Sequence, residues 1–232
     1  MGQAIHRNSK EAKAIRFLAT GTLASGDIFQ LADGRAAVVG GLAAIASGDT
    51  FDALVSGPVE VVCGTAVTAA VGDVMVWDDS LNTAIANGGT AVVPGDIVLG
   101  RVLKAKVSGE LTVLIDLNEG RLPLVIHALD GAVLTAKDNG AIITNKGAGA
   151  SVTVALPVST PGLRFVAQVK AAQTLKLDPN GTETISLPSS GVPGGAGKWL
   201  VADAIGETVE LICTEAGTWG ALGYTGTWTA EA

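Results

Sequence analysis

The sequence is poor in the residues that chemistry draws on. It has two His, two Cys, 4% aromatic and 16% charged residues in a chain of 232. Cys63 and Cys213 stand alone in separate halves with no Cys-x-x-Cys pattern, which fits buried thiols in a reducing compartment better than a disulfide scaffold or a zinc site. His6 and His127 show no ligand spacing with each other or with the cysteines, so no metal centre is expected. A net charge of −7 lacks the basic footprint of a nucleic-acid binder. No apolar run reaches the roughly 18 residues of a membrane helix. The stretch from Ala53 to Trp77 is interrupted by Gly57-Pro58, Glu60 and Asp73. The polar start, Met1 to Lys13, has no apolar segment of the secretory type, which predicts a protein made in a cytoplasm that stays soluble or joins an assembly.

Motifs of catalysis fail one by one. Asp78-Asp79 beside Trp77 reads as turn acids and not a catalytic carboxylate pair: adjacent carboxylates on a strand point to opposite faces, and in a turn they are solvated. Gly194-Gly195-Ala196-Gly197-Lys198 is no phosphate loop: Val192 stands where the first glycine belongs, and Trp199 where a hydroxyl should bind magnesium. No Gly-x-Ser-x-Gly elbow is present. The expectation is a protein that is not an enzyme, with no catalytic residue, metal or cofactor.

What the chain does contain is glycine, 31 residues of it, set among Ala, Val and Thr. Gly-Asp followed by an apolar run occurs at Gly26-Asp27, Gly48-Asp49, Gly72-Asp73 and Gly95-Asp96. Gly takes positive φ freely and Asp closes a turn through its own backbone, so each pair reads as a turn launching a strand. Near-constant spacing predicts an all-β module. Charge is uneven: Arg7, Lys10, Lys13 and Arg16 against Glu11 give the first 16 residues +3 and leave −10 elsewhere. Few charges combined with a mean hydropathy of +0.44 point to surface covered by another chain.

In order, residues 1–13 form an N-terminal arm, 14–118 a β domain, and 121–232 a second β domain beyond the break at Asn118 to Pro123. Strong turn dipeptides in the second half (Asp130-Gly131, Asn139-Gly140, Pro161-Gly162, Asn180-Gly181) separate short strands, as in a small β-sandwich. Trp199, Trp219, Tyr224 and Trp228 crowd the end of the chain. They are expected in the core or between subunits, with ligand stacking as the competing reading.

The first half resembles the capsid decoration (cement) proteins of tailed bacteriophages. The resemblance rests on an ordered pattern. Ser25-Gly26-Asp27 comes first, then Leu54-Val55-Ser56-Gly57-Pro58-Val59-Glu60-Val61, then Ala70 to Asp78, and finally Leu99-Gly100-Arg101-Val102-Leu103. The second half is similar to modules appended to phage head and fibre proteins, at Gly197 to Val201 and Ala216 to Trp219. The resemblance implies a β-tulip or barrel-like N-terminal domain and a β-sandwich-like C-terminal one. It implies a structural virion protein on the outer capsid surface, made in a bacterial host cytoplasm. Its partners would be the major capsid protein and itself, as a homotrimer, without nucleic acid or membrane. Arg7, Lys10, Lys13, Arg16 and Phe17 are then the expected shell contacts. The alternative is binding of a host-surface glycan through the second domain and its aromatics.

Overall fold

The structure, a computed structural model, describes residues 4–6 (backbone only), 13–40, 44–89, 92–119, 123–186 and 194–231. The protein is all-β, with a single 3-10 turn at Ala136–Asp138 among the described residues. It divides into two units: Met1–Asn87 with Asp96–Leu122, and Gly88–Gly95 with Pro123–Ala232. The first domain read from sequence therefore gives up residues 88–95, which group with the second unit.

The first unit contains β1 (Ala4–His6), β2 (Lys13–Leu18), β3 (Ile28–Gln30), β4 (Ala36–Val39), β5 (Thr50–Val62), β6 (Val74–Asp78), β7 (Thr83–Ala86), β8 (Ile97–Val102) and β9 (Thr112–Leu117). Its nine strands form one curled sheet in the order β3-β4-β5-β9-β8-β6-β7, with β1 and β2 both on β5. All these pairings are antiparallel.

Strand β5 is the spine. Its first half lies between β2 and β4, and its second half between β1 and β9. Gly57, at φ 99°, and Pro58, which has no N–H to give a ladder, mark the changeover. Alternate residues along β5 are buried, as period two requires. They feed two cores. One gathers Val59, Val61, Met75, Trp77, Leu99, Ile115 and Leu117. The other is built on Ala37, Val39, Phe51, Ala53 and Val55. Residues 4–6 of the expected arm are thus a paired strand, because their backbone lies on Val59–Val61.

The Gly-Asp turns share one geometry. Gly26, Gly48 and Gly72 have φ of 85°, 91° and 91°. In each, the Asp amide donates to the carbonyl three residues back, at 3.1 Å from Ala24, Ala46 and Ala70. Positive φ at the third position with that bond defines a type II turn. Each glycine amide also reaches a distant carbonyl, of Val39, Ala19 and Val102 respectively. Asp27 and Asp73 return a carboxylate oxygen to the amides of Ala24 and Ala70, at 2.7 and 2.8 Å. Gly109-Glu110 is a further copy, with Glu110 accepting from Val107. Glutamate hides it from a search for Gly-Asp.

The second unit contains β10 (Val125–His127), β11 (Ala132–Val133), β12 (Ile142–Thr144), β13 (Val152–Ala155), β14 (Arg164–Gln168), β15 (Leu175–Asp178), β16 (Thr184–Ile185), β17 (Leu200–Ala202), β18 (Thr208–Glu215), β19 (Thr218–Thr225) and β20 (Thr229–Ala230). The sheets are β10-β12-β14-β18-β19-β16 and β11-β13-β15-β17-β20. From β10 to β15 the chain alternates between them, and each strand pairs in parallel with the one a coil earlier. The sandwich-like pair of sheets expected from sequence is present; within it the first strands of both sheets are parallel coils, and the later strands close them with antiparallel pairs. The turn dipeptides make corners between sheets there, and a corner needs the same backbone as a hairpin.

Buried side chains alternate on both sheets, including Ile126, Ile143, Phe165 and Leu211 on one and Val154, Leu177 and Leu200 on the other. Asn145, fully buried, ties successive coils. Its Oδ1 accepts from the amides of Lys170 and Ala171, and its Nδ2 donates to the carbonyls of Ala171 and Gln173.

Candidate functional site

Strand β2 is the most exposed strand of the first unit for which side chains are described. Among the described residues it pairs with β5 alone, and no described strand lies on its other edge. Period two places Lys13, Ile15 and Phe17 on one face and Ala14, Arg16 and Leu18 on the other. Phe17 turns inward, within 5.7 Å of Phe29 and 5.8 Å of Phe51 between ring centroids. Its half-buried ring belongs to the unit's own core. Ile15 and Leu18 are 40% and 64% exposed. Arg16 meets its cross-strand partner Asp52 at 3.1 Å, and this contact raises the already high guanidinium pKa. Lys13 is exposed, and its backbone amide donates to Ser56 Oγ.

Of the expected shell contacts, the structure thus puts Lys13 and Arg16 on an exposed edge and Phe17 in a core. Arg7 and Lys10 lie outside the described residues. Leu18 and Ile15 are the additions. Their signal in the sequence is an apolar residue on either side of Arg16 in a strand that begins with Lys13.

The aromatics of the second unit do not converge. Trp219 is fully buried against Phe165, at 5.6 Å between centroids. Trp228 is buried, with its indole N–H donating to the carbonyl of Thr208 at 2.9 Å. Trp199 is half-buried under the ammonium of Lys176, 4.1 Å from the ring centroid, a cation–π contact. Only Tyr224, 46% exposed, faces solvent substantially. It borders a shallow groove of about 330 Å³ with Ile142, Val166, Gln168, Thr208 and Glu210. In the first unit, Lys104, Glu110, Leu111 and neighbours line a groove of about 230 Å³.

The buried or half-buried titratable residues Asp78, Lys106 and His127 are held in hydrogen bonds within the fold. Asp78, expected in solvent, is buried and caps its turn by accepting from the Ser80 amide and hydroxyl and from the Leu81 amide. Lys106 is buried, and its ammonium donates to the carbonyls of Gly64 and Val67 at 3.1 and 2.6 Å. His127 shares a 2.7 Å hydrogen bond with Thr144. Burial, with help from Lys146, lowers its pKa against the opposing carbonyl of Gly88. Cys63 and Cys213 are free buried thiols, pushed up by desolvation. Among the described residues no three His, Cys, Asp or Glu side chains gather as metal ligands, and no helix is long and apolar enough to cross a membrane.

Glu207 repeats the Gly-acid turn in the second unit, after Gly206 at φ 97°. Burial alone raises its pKa. The amides of Thr227, Ala204 and Asp203, donating to the carboxylate, overcome this and leave it below the ordinary 4.5. A carboxyl with a lower pKa folded than unfolded contributes stability above the unfolded value, and that stability is lost as pH falls through the folded one. Urea midpoints are therefore expected to drop on acidification below about pH 4.5. In Glu207→Gln the midpoint is lower at neutral pH and the acid decline is shallower. Parallel pH profiles for the two proteins refute this role.

Comparison with protein-family models, curated proteins and solved structures finds no match to this chain.

Proposed function

We propose that this is a structural virion protein that binds the outer face of a phage capsid and stabilises the shell, with β2 as its contact strand. The observation that carries the proposal is the β2 edge, unpaired among the described residues, where Ile15 and Leu18 are exposed beside Lys13 and Arg16. An edge of unpaired N–H and C=O groups recognises another extended chain, and the side chains flanking it supply selectivity. The ordered Gly-Asp pattern, which resembles that of cement proteins, supports the same assignment. A ligand that binds only assembled shells stabilises them by mass action, and many symmetry-related copies add avidity. A homotrimer fits the three-fold positions of such a shell.

Co-sedimentation with empty phage heads tests the proposal. Wild-type protein is expected to saturate the shells. The double variant Ile15→Lys, Leu18→Lys is expected to lose about tenfold or more in affinity, since burying one such side chain contributes about 1.5–3 kcal/mol. Both positions are exposed, so thermal unfolding should hardly change. Failure of the wild-type protein to bind shells, or unchanged occupancy of the variant, overturns the assignment.

A further inference from the structure

Three Asn-Gly pairs occur in the chain: Asn87-Gly88, Asn139-Gly140 and Asn180-Gly181. In such a pair the amide nitrogen of glycine can attack the asparagine side-chain carbonyl, because no Cβ shields it. The reaction needs that nitrogen and the side chain to be free. Asn139-Gly140 and Asn180-Gly181 are both exposed and both lie in the second unit, but their hydrogen bonding differs. Asn139 Oδ1 accepts from the Arg164 amide at 2.8 Å, and the Gly140 amide donates to the Arg164 carbonyl, also at 2.8 Å. Electrophile and nucleophile are both pinned to β14. At Asn180-Gly181 neither the side chain nor the Gly181 amide has a partner among the described residues. The turn itself is anchored elsewhere: the Glu183 amide donates to the Asn180 carbonyl at 3.0 Å, the Glu183 carbonyl accepts from the Gly197 amide at 2.9 Å, and the Glu183 carboxylate accepts from the Ser159 amide. Asn87 is half-buried, with its own amide on the Val74 carbonyl.

We infer that Asn180 is a site of spontaneous deamidation and backbone isomerisation in the folded protein, and that Asn139 is protected from it. The Gly181 nitrogen forms a bond to Asn180 Cγ, the Cγ–Nδ2 bond breaks, and ammonia leaves with the amide proton. Water then opens the succinimide at either carbonyl, giving aspartate or isoaspartate. No electron transfer is involved. Isoaspartate lengthens the main chain within a turn that has no slack. The Gly181 carbonyl sits where a Cβ on Gly197 would come within 2.8 Å, and the turn leads directly into β16. That strand is tied down by Thr184 N to the Gly217 carbonyl and Ser186 N to the Trp219 carbonyl. Conversion at Asn180 therefore loosens the sheet edge beside Trp219.

The test uses the full-length protein. Hydroxylamine, which cleaves at succinimides, is applied to native and denatured samples, and the fragments are identified by mass. In the native protein, cleavage after Asn180 is expected to exceed cleavage after Asn139 by about thirtyfold, the factor by which two net hydrogen bonds hold a group closed. In the denatured chain the two sites should react alike. Ageing the native protein should add the mass change of amide-to-acid exchange to the Asn180 peptide and speed hydrogen exchange at Thr184 and Ser186. Equal native cleavage at the two sites, or an inert Asn180 in a native protein whose denatured chain reacts, overturns the inference.

Discussion

Gly100→Ala is expected to prevent the first unit from folding. Gly100 lies inside β8, opposite Leu117 on one side and Met75 on the other, at φ 145°. A Cβ there would stand 2.0 Å from the carbonyl oxygen of Asp116 and 3.0 Å from the amide of Asn118. Both obstacles are backbone, so no rotamer change relieves them. They belong to the strand-to-boundary segment, where Asn118 donates from Nδ2 to the carbonyls of Ala36 and Val55 and accepts from the Ala36 amide. Separating β8 from β9 would also open the larger core at Leu99, Ile115 and Leu117. The loss should exceed about 4 kcal/mol, the range reserved for such mechanisms. Gly48→Ala is the control. Its φ of 91° is unfavourable, but its Cβ meets nothing within 4 Å, so it should lose only about 1–2 kcal/mol from backbone strain. Urea unfolding of the two variants side by side decides the matter. Similar losses would mean that β8 can shift away from β9.

Trp219→Ala should cost the second unit about 3–5 kcal/mol, as expected for removing a large aromatic from a packed core. Trp219 is fully buried, and its indole N–H has no partner among the described residues. Its value therefore comes from filling space beside Phe165. Trp219→Phe, which also removes the unpaired donor, should recover much of the loss. Tyr224→Ala, at an exposed position, should stay within about 0.5 kcal/mol of wild type. The contrast bears on any glycan experiment. Loss of binding in Trp219→Ala would report unfolding, whereas Tyr224→Ala tests the surface itself. A Trp219→Ala protein with wild-type melting would show that the second unit is organised differently.

The turns could be read from the sequence because each is decided locally. Gly26, Gly48 and Gly72 need positive φ, and the acid that follows closes the loop within four residues. The same local physics made the all-β class plain. What escaped were decisions taken over long distances. Asp130-Gly131 and Asn139-Gly140 specify a reversal of the chain, yet whether the next strand returns antiparallel or passes to a facing sheet depends on residues a coil away. Phe17 sits among exposed neighbours, and only Phe29 and Phe51, brought in by other strands, draw it inward. Asp78 reads as a turn acid in water, yet as the last residue of β6 it is buried while its carboxylate caps the turn. Gly95-Asp96 is the copy that departs from the pattern. Its glycine amide is taken by the carboxylate of Asp138, itself buried and held by Thr135.

The coiled half of the second unit makes its length an adjustable quantity. Each coil pairs with the coils beside it through main-chain ladders that ask little of side-chain identity, and the Asn145 side chain adds one specific tie. Such a stack can gain or lose a whole coil while the closing hairpin of β18 and β19 keeps its place at the end. Evolution could thus tune how far this unit extends by duplicating a short stretch of sequence, without redesigning the fold.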